Sequence, residues 1–167
     1  MDTLLAELSL GLPNATETIR IILRLLVAMV LGSILGYERQ QTRKAAGFRT
    51  HILVALGSAL FVLAPLEAGM PPADVSRIVQ GVAAGIGFIG AGAILKLTTE
   101  REIQGLTTAA SIWMTSAAGI ASGLGQFALA VFATVLAFIT LSWLARLEFG
   151  ERSRDKSPPP SPGDSPR

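Results

Sequence analysis

The chain has 167 residues, half of them apolar and 16% charged, with a formal net charge of +2 and no cysteine. Soluble domains carry roughly 25% charged residues, so this balance excludes an ordinary water-soluble domain, and the missing cysteine excludes a disulfide framework, a thiolate metal site and a cysteine nucleophile. The cations lie beside apolar runs instead of forming one stripe, which excludes nucleic acid as a partner and points to the lipid bilayer.

Residues 1–17 carry Asp2 and Glu7 and no basic residue ahead of their apolar ones, so they do not read as a cleaved signal peptide. Leu4, Leu5 and Leu8 at helical spacing predict a short interfacial helix, and Asn14-Ala15-Thr16 matches a glycosylation sequon. A transmembrane helix needs roughly 20 apolar residues to cross about 30 Å of hydrocarbon. Runs at about 18–37, 50–67 and 77–95 meet that need, the first with Arg24 snorkelling to the interface. The next run, 103–145, has no formal charge over 43 residues, enough for two spans. A break at Ser122-Gly123-Leu124-Gly125-Gln126 divides it into about 107–122 and 126–146. The expectation is an all-α membrane protein, a bundle of about five transmembrane helices over 18–148, followed by a disordered Pro-rich tail at 149–167.

Lys and Arg in short loops set orientation. Arg39, Arg43, Lys44 and Arg49 follow the first span, Lys96 and Arg101 the third, and Arg146, Arg152, Arg154 and Lys156 the fifth. Alternation puts all of them on one side, which predicts an outside N-terminus and a cytoplasmic C-terminus.

Gly85-Ile86-Gly87-Phe88-Ile89-Gly90 fits the dinucleotide pattern GxGxxG, yet it lies inside an apolar span with no preceding strand and no acid about 20 residues on. Gly81, Gly85, Gly87, Gly90 and Gly92 read instead as small faces for close helix packing, with Gly32 and Gly36 of the first span as a partner face; lining of an ion path by glycine-weakened backbone is the competing reading. Pro71-Pro72-Ala73-Asp74 reads as a turn with Asp74 as N-cap. Alternatively, Asp74, Arg77 and Gln80 form an outer polar mouth. Arg20 and Arg24, four apart, read as anchors, Arg24 being deep enough to need an internal partner. Trp113 and Trp143 read as packing or interface residues.

The stretch GYERQQTRKAAGFRTHILVALG holds Glu38 at a helix C-terminus, where the dipole disfavours an anion. Arg39, Arg49 and the N-termini of the second and fourth helices, capped by Thr50 and by Thr107 with Thr108, are available to compensate it. Two readings stand: Glu38 is a clasp with His51 packed beside it, or Glu38 and His51 form a proton- or cation-responsive site. An enzyme is disfavoured, because Ser111 and Ser116 have no adjacent base in sequence and one histidine makes no metal-ligand set. No cofactor is indicated, and metal binding stays open.

The blocks GYERQ, AGFRTHILVALGSALFVL, DVSRIVQGVAAGIGFIGAGAIL and QGLTTAASIWMTSAAGIASGLG, in this order over about 25–148, resemble the MgtC/SapB family of bacterial inner-membrane proteins. The resemblance implies a multi-span helical protein of the inner membrane, linked to survival at low magnesium and to virulence. It implies either magnesium transport or regulation of membrane partners, inhibition of the proton-translocating ATP synthase being attributed to one member. The family motif falls on Gly36, Glu38, Arg39, Gly47, Arg49, Thr50, His51, Asp74, Ser76, Arg77, Gly87, Phe88, Gly90, Gly92, Gly105, Leu106, Thr107 and Thr108. Asp-Val-Ser-Arg stands where Asp-Pro-Ser-Arg is common, Gln104 where a basic residue often precedes Gly-Leu-Thr-Thr, and the tail is too short for the C-terminal cytoplasmic domain of many members. The function expected is a non-enzymatic regulator that binds membrane proteins and self-associates; the alternative is a pathway for Mg2+ or protons, for which the third span offers only Gln80 near one end.

Overall fold

The computed structural model describes residues 14–94 and 104–144. Residues 1–13 of the predicted N-terminal interfacial segment (1–17), Lys96 and Arg101, the end of the fifth predicted span and the Pro-rich tail lie outside the described residues, whereas residues 14–17 of that segment form the start of the first long helix. Within them the chain forms five α-helices, α1 (Ala15–Gln41), α2 (Phe48–Glu67), α3 (Pro72–Ile94), α4 (Leu106–Gly123) and α5 (Phe127–Ile139), the last running into a π-helical segment, Thr140–Leu144.

Local chemistry sets each boundary. Asn14 caps α1: its side chain accepts from Glu17 N at 2.9 Å while Glu17 Oε2 accepts from Asn14 N at 3.1 Å, a reciprocal capping box. The sequon asparagine is thus a helix start. At the far end Arg43 takes φ 53°, and Lys44 N reaches back to Arg39 O at 3.0 Å, closing the last carbonyls. The residue preceding α2 is Gly47, and that preceding α4 is Gly105, at φ 97°; neither helix has a side-chain cap. A methyl on Gly105 would overlap the Ala93 carbonyl oxygen, so glycine is needed there for space as well as for backbone conformation. Pro72 opens α3, a position where its missing N–H is no loss. Asp74 therefore lies in the first turn and is not the N-cap: its own N–H donates to Pro71 O at 2.9 Å. Its charge still favours the positive end of the helix dipole.

Three segments, Ala15–Gln41, Phe48–Glu67 and Ala73–Ile94, are long and apolar enough to cross a membrane. At 27 residues, α1 is about 40 Å long, so one end extends past a hydrocarbon layer of about 30 Å. The central element is α4, which touches the other four helices. Ten of its 18 residues are buried, five of them hydroxyl-bearing, and Ile112 is the one large apolar side chain in that set. Large apolar residues such as Phe61, Phe88, Phe132 and Trp143 face outward instead. A helix enclosed by protein needs no lipid-like surface, so its composition departs from that of its neighbours.

Small residues form the joints. A methyl on Gly32 would stand 2.8 Å from Ala55 Cβ, and one on Gly36 would stand 2.8 Å from Phe48 Cα. On the other side of α2, methyls on Gly119 and Gly123 would press on the carbonyl oxygens of Ala55 and Ala59. Backbone approach replaces side-chain interdigitation in this core. The partner of the Gly32 and Gly36 face is therefore α2, not the third span that sequence spacing suggested.

Candidate functional site

The polar residues of the interior lie along the α1, α2 and α4 seams. At one end Glu38 and Arg39 are buried, at 7% and 1% exposure. Adjacent positions on a helix do not normally face each other. Here Arg39 Nε donates to Glu38 Oε2, and Arg39 Nη2 donates to the Leu141 carbonyl at 3.1 Å, tying the end of α1 to the π segment after α5. The Thr42 hydroxyl covers the Glu38 and Arg39 carbonyls at 3.0 and 3.2 Å. Two charges taken from water are costly unless paired and hydrogen-bonded; both conditions are met. Compensation of Glu38 comes from Arg39 alone among the sources expected. Arg49 is exposed, and Thr50, Thr107 and Thr108 sit inside the first turns of their helices without capping them.

His51 is fully buried next to Gly36. Its Nδ1 lies 2.9 Å from the Gly47 carbonyl, and its Nε2 lies 3.2 Å from Ser111 Oγ on α4, which in turn stands 2.8 Å from the Thr108 carbonyl. No hydrogen bond or ion pair joins His51 to Glu38 among the described residues. The expectation that Ser111 lacks a neighbouring base is overturned, since the fold supplies one from 60 residues away. That pair is not a nucleophile site: Ser111 is 2% exposed, and the far nitrogen of the ring faces a carbonyl where a triad needs a carboxylate.

Further along the seam, Ser58 and Ser116 share a 2.7 Å hydrogen bond between α2 and α4, while Thr115 and Ser122 donate to carbonyls one turn back, Ser111 O and Ala118 O, each at 2.8 Å. At the opposite end Arg24 Nη1 donates to Gly123 O at 3.0 Å, meeting the negative end of the α4 dipole. This is the internal partner that its depth required. Arg20 pairs with Glu67 at 3.6 Å on the exposed surface. Two buried hydroxyls, Thr134 Oγ1 and Ser142 Oγ, have no hydrogen-bond partner among the described residues.

The outer trio is not assembled into a mouth. Asp74, Arg77 and Gln80 are exposed on the first turns of α3, with no ion pair between Asp74 and Arg77. Of the α3 glycines, Gly90 faces α4, where an added methyl would stand 3.5 Å from Ala109 Cβ, whereas methyls on Gly81, Gly85, Gly87 and Gly92 would meet nothing within 4 Å. Sequence reasoning passed over Ser58, Thr115 and Gly119, and it read Ser122 and Gly123 as a helix break without their interior contacts. A signal existed: hydroxyls at 108, 111, 115 and 122 recur at three, four and seven residues, one face of a helix.

Together these features define an all-α membrane protein whose interior is built from glycine, alanine and hydroxyl contacts and closed at its two ends by arginine. Residues 25–149 match the model of the MgtC family. The chain is 45% identical over 136 residues to Protein SrpB of Synechococcus elongatus, covering 75% of each chain. It is 40% identical over 139 residues to "Putative magnesium transporter YhiD" of Escherichia coli, covering 79% of this chain and 64% of that one. It is 43% identical over 115 residues to Protein MgtC of Salmonella typhimurium, covering 69% of this chain and 48% of that one. No solved structure matches. The chain belongs to the MgtC family, a membrane protein family related to magnesium.

Proposed function

We propose that the protein is a multi-pass regulator of the bacterial inner membrane, with its N-terminus outside, which supports adaptation to low magnesium by binding other membrane proteins, the proton-translocating ATP synthase among them. One observation carries this reading. The interior polar groups of the α2–α4 seam bond to each other or to backbone, and Gly119 and Gly123 hold the two backbones in contact, so no water-sized column separates these helices. A pathway needs polar atoms left free to replace an ion's hydration shell. Away from the α2 side, in contrast, α3 is open: a Cβ on Gly87 or Gly92 would meet nothing within 4 Å, and Phe88 is 85% exposed. Such a face suits a partner helix or a second copy of the chain.

The second reading, passage of Mg2+ or protons, draws on the name of the YhiD relative and on the hydroxyl face of α4. Inverted membrane vesicles containing the protein separate the two. With one pH dye reporting ATP-driven acidification and passive leak, regulation lowers pumping at equal ATP synthase content and leaves leak unchanged. Raised leak would overturn the regulator in favour of conduction, and no change in either would remove both proton-coupled readings.

A further inference from the structure

We infer that the groove between α2 and α3 is a binding site for an anionic phospholipid, with the headgroup at Arg49 and the acyl chains running along the groove. The groove has a volume of about 810 Å³. Its α2 wall runs from Arg49 to Phe61, about 18 Å at 1.5 Å per residue, close to the roughly 15 Å depth of one leaflet. Leu53 and Phe61 on one side and Val82 and Ile89 on the other make it apolar. The space exists because Gly57, Gly81 and Gly85 have no neighbour within 4 Å of where a Cβ would stand.

Charge and shape select the occupant. Arg49 lines one end, exposed and without an acidic partner among the described residues, and Thr50 beside it adds a hydroxyl. Arg43 and Lys44 are exposed on the turn that leads into α2. A phosphate diester matches that end and hydrocarbon matches the rest. An apolar helix from another protein would fill the hydrocarbon part and leave Arg49, with Arg43 and Lys44 nearby, without an anion. The inference is independent of whether the protein regulates or conducts.

The test is native mass spectrometry of the purified full chain, incubated with equal amounts of phosphatidylglycerol and phosphatidylcholine bearing the same acyl chains. The wild type retains phosphatidylglycerol in preference. Arg49→Gln, an exposed change that leaves the fold intact, lowers that preference about fivefold, the factor for one arginine beside anionic lipid. The double variant Gly81→Leu, Gly85→Leu fills open space and loses adducts of both lipids while its circular dichroism is unchanged. An unaltered preference in Arg49→Gln overturns the headgroup assignment. Undiminished adducts in the filled variant, or a wild-type dimer that this variant turns into monomer with lipid binding intact, overturn the groove as a lipid site.

Discussion

Replacing Gly119 by alanine tests the close joint between α2 and α4. The added methyl would overlap the Ala55 carbonyl oxygen and stand 2.9 Å from Ala55 Cα, well inside the 3.5–4.0 Å of relaxed carbon contacts. Both neighbours are backbone, so no rotamer change relieves the clash. Nor can α2 retreat freely, because Gly32 of α1 already approaches Ala55 from another direction. Overpacking of this kind costs about 1–3 kcal/mol, and higher helix propensity returns up to about 1 kcal/mol. With the full propensity gain subtracted, a net loss of up to about 2 kcal/mol follows for Gly119→Ala. Gly87→Ala meets nothing within 4 Å and keeps only the propensity gain, so it is neutral or stabilising by up to about 1 kcal/mol. Reversible unfolding of the detergent-solubilised protein by sodium dodecyl sulfate, followed by circular dichroism, compares the two. Equal effects of the same sign would refute the assignment of these glycines to a closed joint and an open face.

Arg24→Gln removes a cation from the C-terminus of α4 and costs about 1 kcal/mol, the side chain being partly buried; hydrogen exchange at residues 120–126 should rise while α3 is unaffected. Arg39→Gln leaves Glu38 buried without its partner and costs about 3–5 kcal/mol, whereas Glu38→Gln combined with Arg39→Gln recovers part of that loss; additive losses in a double-mutant cycle would contradict the pairing. Thr134→Val exchanges a hydroxyl with no hydrogen-bond partner among the described residues, at 1% exposure, for a methyl and stabilises by about 1 kcal/mol in the same unfolding assay.

The helical fold was legible because hydrocarbon thickness imposes run lengths, and the break before α5 was legible because Gly123 and Gly125 interrupt an otherwise uncharged run. The order of packing was not. Gly32 and the α3 glycines carry the same local signal, yet one lies against Ala55 and most of the others face open space, a distinction made only by which helix ends up central. Among the candidate site residues, the burial of Glu38 and Arg39 depends on a carbonyl 102 residues beyond Arg39, which no local spacing reveals. Arg39 was counted with the loop cations that set orientation; enclosed in an ion pair, it differs from Arg43, Lys44 and Arg49, which remain exposed. The polar face of α4 was readable as periodicity, but an apolar-face search discards it, because in this bundle the small and polar side of the central helix points inward.

His51 offers a sharper check on the interior, since its hydrogen bonds constrain where its protons sit. A carbonyl only accepts, so Nδ1 facing Gly47 O must carry hydrogen. A neutral ring then has an unprotonated Nε2 that accepts from Ser111 Oγ, and Ser111 cannot at the same time donate to Thr108 O. A charged ring donates through both nitrogens and releases the Ser111 hydroxyl to the Thr108 carbonyl in the first turns of α4. The charge of His51 is thereby coupled to one hydroxyl rotor between α2 and α4, with no hydrogen bond to Glu38 involved. Nitrogen-15 solid-state NMR of the protein in bilayers reads the ring directly. The expected neutral species is protonated at Nδ1, and Ser111→Ala shifts the Nε2 resonance by removing its donor. A neutral ring protonated at Nε2 would show that Gly47 O is not its partner, and the coupling to α4 would fall with it.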